Sequence, residues 1–303
     1  MLINQLWIEF NLYVKKGKML SFTSSLSLSS DAFAIFVTEK YDYKDKKDIL
    51  PANTAKKINS FISVLRIKKK KEDINSFDIS NRQKCFIIKV KHKYENSTPQ
   101  ESGGAFFSYL KKFKDIQKID LYPDSLELDK DKLVRFFSEF IFGFNLKSYT
   151  FSKYKTLDKD KTDKKINFKI ITSNKEKIEK KYRYYDSIKE GVFLTRDLVS
   201  EPPNVLTPKA YVREIKKLSK FGLKIKVYDE KEMKKLGLNA LLGVGQGSVN
   251  GTYLVTLEWN GKKNPKQNPL AFVGKGVCFD TGGISIKPAR FMNEMKYDMA
   301  GSA

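Results

Sequence analysis

Four charged side chains lie between Phe272 and Ala303 in a segment rich in apolar and small residues. They are Lys275, Asp280, Lys287 and Asp298. The apolar runs Leu270–Val273 and Ile284–Lys287 predict short strands, the first of them buried, and the small residues after Asp298 predict a helix. The charged groups then stand at the ends of elements, where α/β enzymes commonly place their chemistry. This segment therefore favours an α/β fold with a functional site at those ends.

The two aspartates and two lysines of this segment suit a metal-dependent site. Aspartates offer hard oxygen ligands, and hydrolytic sites with two metal ions hold them about 3.5–4 Å apart. A lysine binds a metal only as the neutral amine, so its pKa must be lowered by the cation and by burial. A second lysine that stays charged can polarise a carbonyl group and stabilise an oxyanion. These residue types therefore predict metal-assisted hydrolysis.

The order and spacing of these residues match a known signature. The chain reads VGKGVCFDTGGISIK over residues 273–287 and MNEMKYDMAGSA over residues 292–303. Upstream blocks read TRDLVSEPPNVLTP over residues 195–208, LLGVGQGS over residues 241–248 and LEWNG over residues 257–261. Over roughly residues 191–303 the chain resembles the leucine aminopeptidase family, whose members are also called cytosol aminopeptidases.

The resemblance implies a role for each residue of the site. Lys275 should bind one metal ion, Asp280 should bridge two ions, and Asp298 should bind the same ion as Lys275. Lys287 should be the catalytic lysine that contacts the scissile carbonyl oxygen of the substrate. Met295 should line the pocket for the first side chain of the substrate. The implied cofactors are two divalent cations per subunit in the intact protein, Mn²⁺ or Zn²⁺.

The family pattern also includes a later motif similar to NTDAEGR. That motif supplies two further carboxylate ligands and an arginine, and it does not occur in residues 1–303. We therefore expect a C-terminally truncated chain that lacks part of the metal site. Such a chain should have no aminopeptidase activity alone and should bind divalent ions only weakly.

The resemblance implies a metallo-exopeptidase, a leucyl aminopeptidase that releases leucine-like N-terminal amino acids from peptides. The intact protein should be a homohexamer in the cytoplasm. The alternative is a non-catalytic pseudoenzyme or a basic protein that binds nucleic acid, because the net charge is +23. The basic residues are mostly lysines that are spread through the chain, and arginine, which reads bases, is scarce. We therefore do not expect nucleic acid as a partner.

The numbers of cysteines and histidines exclude some kinds of structural and metal site. Cys85 and Cys278 are the two cysteines, so no disulfide framework is expected and a reducing cytosol is favoured. His92 is the one histidine and excludes a Cys/His zinc site. Cys278 is expected to be a small buried hydrophobe rather than a nucleophile. No stretch approaches the length of a transmembrane helix, so no membrane association is expected.

The chain divides by pattern into four regions. Residues 1–18 are expected to be a non-native or upstream extension, residues 19–172 a small N-terminal α/β domain and residues 173–199 a linker helix. Residues 200–303 are expected to be the first part of a dimetal exopeptidase α/β catalytic domain.

Strands and helices are predicted from periodicity. Strands are predicted at Ala32–Val37, Ser63–Ile67, Cys85–Val90 and Leu223–Tyr228, and helices at Gly104–Phe113, Asp131–Phe142 and Glu176–Val199. Thr207 is predicted to cap a helix that begins at Pro208. The highly charged stretch Tyr154–Lys169 is predicted to be a loop.

Overall fold

A computed structural model describes residues 20–27, 29–45, 49–68, 71–90, 99–157, 166–261 and 268–303. The expected extension at residues 1–18 and His92 lie outside these ranges. The chain forms two compact units, one that ends at Val192 and one that runs from Phe193 to Ala303. In the described part of the chain, no helix combines the length and the apolar character needed to cross a bilayer.

The first unit contains a six-stranded sheet with helices on both faces. Its strands are β1 Leu20–Thr23, β2 Ala32–Val37, β3 Ile74–Ser80, β4 Gln83–Lys89, β5 Lys118–Tyr122 and β6 Asn167–Ile171. Its helices are α1 Ala52–Ile67, α2 Pro99–Leu110 and α3 Lys130–Ser148, with a 3₁₀ turn at Pro123–Ser125 before α3. Helix α4 Lys175–Ser200 begins in this unit, and its residues from Phe193 onward belong to the second. The strand order is β1-β6-β5-β2-β4-β3, and only β3 runs antiparallel to its neighbour.

Strand β2 lies in the interior of this sheet, and every one of its residues is buried. Because neighbouring side chains of a strand point to opposite faces, its sequence AFAIFV fills two separate cores. Phe36 packs edge-on against Phe140 of α3 on one face. Phe33 belongs to the core on the other face, together with Ile58 of α1. The predicted strand Ala32–Val37 is confirmed.

Helices α2 and α3 approach each other through two glycines. A Cβ atom on Gly103 would lie 1.9 Å from the Phe140 carbonyl oxygen, and one on Gly143 would lie 1.9 Å from the Gln100 carbonyl oxygen. Real Cβ contacts are never this short, so each glycine allows its helix to touch the backbone of the other. The predicted helices Gly104–Phe113 and Asp131–Phe142 are present as α2 and α3. The two glycine contacts allow these helices to pack closely.

Two predictions for the first unit were wrong. Ser63–Ile67 is the last part of α1 and not a strand, because Ile58, Ile62 and Leu65 form the buried stripe of a helix. Asn167–Lys169 was predicted to be in a loop but begins β6. Phe168 of this strand is buried and pairs with Ile119 of β5, so pairing outweighs the charged local sequence.

The second unit is built from short elements. They are α5 Pro208–Lys216, a 3₁₀ helix at Lys217–Phe221, β7 Lys224–Tyr228, α6 Glu230–Lys235, α7 Asn239–Gly245, β8 Leu254–Glu258 and a 3₁₀ helix at Met292–Ser302. Strands β7 and β8 form an antiparallel pair. The predicted cap is confirmed, because the Thr207 side chain accepts a hydrogen bond from the Ala210 N–H and Pro208 occupies the first turn.

The predicted strands at Leu270–Val273 and Ile284–Lys287 are absent, and both stretches are irregular. Val273 is 100% exposed and Ile284 is 108% exposed, so neither run is buried. Within the described ranges no strand pairs with them, so they lack the inter-strand hydrogen bonds that define a sheet. Asp298 lies inside the 3₁₀ helix Met292–Ser302 and not at the head of a new helix.

Candidate active site

The glycines that flank Lys275 bring it against the end of the chain. A Cβ atom on Gly274 would lie 2.7 Å from Ser302 Cα, and one on Gly276 would lie 3.0 Å from Ser302 Oγ. A side chain at Gly274 would therefore displace the 3₁₀ helix Met292–Ser302, which also carries Asp298. The glycines of the VGKG motif thus allow two distant parts of the sequence to pack together.

Lys275 and Asp298 form an ion pair across this contact. The Lys275 Nζ lies 3.3 Å from Asp298 Oδ2. The Asp298 side chain is 25% exposed and the Lys275 side chain is 59% exposed, so the carboxylate is the more enclosed partner. The structure therefore brings together two residues that the resemblance assigns to one metal ion.

Asp280 and Lys287 form a second ion pair, with 2.8 Å between Lys287 Nζ and Asp280 Oδ2. The loop between them is closed by the Gly282 N–H, which donates to Asp280 Oδ1 at 2.9 Å, and by the Lys287 N–H, which donates to the Thr281 carbonyl at 2.8 Å. Gly282 adopts a φ of +92°, a conformation that favours glycine.

The charge state of Asp280 follows from these contacts. The hydrogen bond from Lys287, then the hydrogen bond from the Gly282 N–H, lower the pKa of Asp280 below its ordinary value. The charge of Lys275 acts in the same direction, so the electrostatic influence of the first ion pair reaches the second. The carboxylate that the resemblance assigns as a bridging ligand is therefore stabilised in its ionised form.

Met295 lies beside the second ion pair. The Lys287 Nζ is 3.0 Å from the Met295 Sδ. The ammonium of Lys287 is thus placed between a carboxylate and a thioether. The five predicted site residues form two groups, one of Lys275 with Asp298 and one of Asp280, Lys287 and Met295.

A small apolar cluster lies beside this site. It consists of Leu198, Leu206, Tyr211, Cys278 and Met299. Burial raises the pKa of the Cys278 thiol to about 11. Cys278 is therefore a buried thiol with little thiolate at neutral pH, as the sequence predicts.

Sequence reasoning missed Tyr211 and Ser302. The Tyr211 Oη lies 3.0 Å from the Ser302 Oγ, although 91 residues separate them. Tyr211 follows Thr207 and Pro208 in the first turn of α5, where its spacing indicates only a helix face. No local signal links it to the metal-ligand motif, because the contact is purely tertiary.

The donors of this segment fit a divalent cation in chemical type. Carboxylate oxygens suit hard cations such as Mn²⁺, and a lysine amine adds a nitrogen donor if it is neutral. In the part of the chain that the structure describes, no three His, Cys, Asp or Glu side chains gather. Asp280 and Asp298 can therefore supply only part of a coordination shell.

Comparison with known proteins matches this segment to one family. Residues 193–303 match the model of the cytosol aminopeptidase family, catalytic domain. A probable cytosol aminopeptidase from Phytoplasma mali (strain AT) is 43% identical over 206 residues, which are 67% of this chain and 40% of the relative. One from Chelativorans sp. (strain BNC1) is 52% identical over 165 residues, which are 53% of this chain and 33% of the relative. The chain thus spans less than half the length of either relative.

Solved structures show the same fold. A mutant of tomato leucine aminopeptidase aligns with a TM-score of 0.72 at 20% identity, over 93% of this chain and 57% of that chain. The bottromycin maturation enzyme in complex with Mn aligns with a TM-score of 0.61 at 21% identity, over 90% of this chain and 54% of that chain. These likenesses confirm the predicted α/β fold class.

The family model and the curated relatives thus agree with the motifs that surround the two ion pairs. Residues 193–303 of this chain are thus similar to the catalytic domain of the cytosol aminopeptidase family.

Proposed function

We propose that the chain carries part of the active site of a metal-dependent aminopeptidase that releases leucine-like amino acids from the N-termini of peptides. The observation that carries this proposal is the joint placement of two Asp–Lys pairs, Lys275 with Asp298 and Asp280 with Lys287. The family match over residues 193–303 supports the reaction class.

The metal ligands among these residues are Lys275, Asp280 and Asp298. Two divalent cations, Mn²⁺ or Zn²⁺, would supply Lewis-acid polarisation of the peptide carbonyl and an activated water. In the structure each aspartate is neutralised by a lysine. A cation that binds an aspartate therefore competes with that ammonium, and Lys275 must lose a proton before it can act as a ligand.

Lys287 is the proposed catalytic residue. Its ammonium is held by Asp280 and lies at 3.0 Å from the Met295 Sδ. A charged donor at this place can bind the scissile carbonyl oxygen and stabilise the negative charge that develops on it during attack. Met295 would contact the first side chain of the substrate, for which its flexible apolar thioether is suited.

The proposed partners are peptide substrates and further copies of the same protein. We propose a homohexamer for the intact protein. We also propose a cytoplasmic location, in line with the names of the curated relatives, which are probable cytosol aminopeptidases. The 303-residue chain alone should be inactive, because its described residues provide two carboxylates for two proposed ions. The domain limits 19–172, 173–199 and 200–303 are part of the same proposal.

The test measures metal binding and hydrolysis separately. Mn²⁺ binding to the chain is followed by electron paramagnetic resonance, and hydrolysis of leucine p-nitroanilide is assayed beside the full-length Phytoplasma mali relative. Asp280→Asn and Asp298→Asn should each weaken Mn²⁺ binding, whereas Asp115→Asn, an exposed aspartate of the first unit, should not. Equal Mn²⁺ binding by all variants would refute the ligand assignment. Turnover by the chain comparable to that of the relative would refute its expected inactivity.

A further inference from the structure

We propose that Tyr211 and Ser302 are positioning residues for the candidate metal ligands. Their hydrogen bond holds the 3₁₀ helix that carries Asp298 against the glycine-flanked Lys275. The inference rests on the proposed function for the role of Lys275 and Asp298, but the contact itself is a feature of the fold.

The direction of the hydrogen bond follows from the number of protons available. Ser302 Oγ donates to the Met299 carbonyl oxygen at 2.9 Å. A serine hydroxyl has one proton, so its remaining role toward Tyr211 is that of an acceptor. Tyr211 therefore donates to Ser302 at 3.0 Å. Replacing Tyr211 by phenylalanine removes this donor and leaves the bond from Ser302 to Met299 in place.

The surroundings of Tyr211 fix the position of the hydroxyl that contacts Ser302. Its side chain is buried in the cluster with Leu198, Leu206, Cys278 and Met299. Its helix is anchored by the Thr207 cap, and the Tyr211 N–H donates to the Thr207 carbonyl oxygen at 2.8 Å. The phenol is thus held on both sides, by its own helix and by the apolar cluster.

Ser302 links the position of Tyr211 to both members of the ion pair between Lys275 and Asp298. It lies in the same 3₁₀ helix as Asp298. It also packs against both neighbours of Lys275, because Cβ atoms on Gly274 and Gly276 would fall within 3.0 Å of Ser302 atoms. Fixing Ser302 therefore fixes the backbone on each side of the 3.3 Å contact between Lys275 Nζ and Asp298 Oδ2.

The experiment compares wild type with Tyr211→Phe, Ser302→Ala and the double variant. Tyr228→Phe is the matched control, because the Tyr228 hydroxyl has no hydrogen-bond partner in the described ranges. Hydrogen exchange of peptides covering residues 272–278 and 292–303 reports the packing, with residues 224–228 as an internal reference. Mn²⁺ affinity by electron paramagnetic resonance reports the placement of the ligands.

We expect exchange in the two site peptides to rise about two- to tenfold in Tyr211→Phe, the range for loss of one neutral hydrogen bond. The rise in Ser302→Ala should be at least as large, because this variant also loses the bond to the Met299 carbonyl oxygen. The Mn²⁺ dissociation constant should rise by a similar factor. The double variant should resemble Ser302→Ala alone, because both changes remove the same bond. The reference peptide and Tyr228→Phe should be unchanged.

Unchanged exchange in Tyr211→Phe would overturn the proposal outright. Faster exchange with unchanged Mn²⁺ affinity would show that the bond supports packing only, which also overturns the positioning role. If wild type binds no Mn²⁺ at millimolar concentration, the proposed function fails and the role assigned to Tyr211 fails with it. Retained binding with equal affinity in all variants contradicts the positioning role and leaves the proposed function intact.

Discussion

Lys287 donates a hydrogen bond of 2.8 Å to Asp280, so the proposed catalytic lysine and the proposed bridging ligand neutralise each other in the structure. The same pairing exists between Lys275 and Asp298. Each ammonium lies beside a carboxylate, and a divalent cation would bind the same carboxylate. The two lysines therefore hold the aspartates in place as charged groups, and metal binding has to compete with them.

Lys287→Ala should raise the pKa of Asp280 toward its ordinary value. The Lys287 hydrogen bond is the largest cause of the lowered pKa, and the Gly282 N–H is the next. Lys275→Ala should have a smaller effect, because Lys275 acts on Asp280 only through its charge. Carbon-detected NMR titration of the Asp280 carboxyl in the metal-free chain measures both. A larger change in the Asp280 pKa in Lys275→Ala than in Lys287→Ala would contradict this order of causes.

Gly274→Ala should weaken Mn²⁺ binding. The new Cβ would lie 2.7 Å from Ser302 Cα and 2.9 Å from the Gly301 carbonyl oxygen, so the 3₁₀ helix with Asp298 has to move away from Lys275. Gly243→Ala is the control, because no atom beyond its chain neighbours and the backbone of its own helix lies within 4 Å of its new Cβ. Titration with Mn²⁺ followed by electron paramagnetic resonance should separate the two variants. Equal affinity would mean that the segment adapts without disturbing the ligands.

Gly143→Ala should destabilise the first unit by at least about 1–3 kcal/mol, the usual cost of overpacking. The clash is with backbone, since the Cβ would lie 1.9 Å from the Gln100 carbonyl oxygen, and helices α2 and α3 would have to separate. Gly104→Ala also lies within a helix, but its nearest neighbour is Lys147 Cβ at 3.6 Å. That control should be neutral or stabilising by up to about 1 kcal/mol, because alanine favours helix. Urea denaturation of both variants provides the comparison.

Alkaline pH should destabilise the first unit through Tyr182. Burial first, and then the charge of Asp186, raise the pKa of Tyr182 well above its usual value of 10.0. The unfolded chain keeps the ordinary value, so above about pH 10 it binds fewer protons than the folded chain and stability falls as pH rises. Tyr182→Phe should be less stable at neutral pH by about 1 kcal/mol, because it loses the hydrogen bond from Asn145. The difference between the proteins should shrink above pH 10 in thermal melts; a constant difference would contradict this account.

The 303-residue chain should associate in solution or remain monomeric, and should not form an ordered hexamer. Val273 and Ile284 are fully exposed, and Leu270, Phe272 and Ile286 are largely exposed in the same segment. Exposed apolar side chains of this number favour association. Replacing Val273 and Ile284 by serine should reduce association measured by light scattering, whereas Val249→Ser, at an exposed valine outside this segment, should reduce it less. A discrete hexamer of the wild-type chain would contradict the expectation.

Periodicity predicted the long elements well where the local pattern and the buried face agree. The strand Ala32–Val37 has a continuous apolar sequence because it lies in the interior of a parallel sheet, and α4 has the polar composition of a long surface helix. Ser63–Ile67 was misjudged because its aliphatic residues belong to a helical stripe that begins at Ile58. The close approach of α2 and α3 at Gly103 and Gly143 could not be predicted from the sequence, because it depends on how the two helices pack.

The sequence by itself determined the similarity to one family and predicted the residues of the site. Two aspartates and two lysines at fixed spacing within glycine-rich motifs define a local signature, and the family match over residues 193–303 rests on sequence alone. Only the tertiary structure decided which lysine pairs with which aspartate, and that Tyr211 reaches Ser302 across 91 residues. It also decided that the apolar runs at Leu270–Val273 and Ile284–Lys287 stay irregular. Local pattern encodes which conformation a segment favours, but hydrogen-bond partners and burial come from distant parts of the chain, and these set the final arrangement.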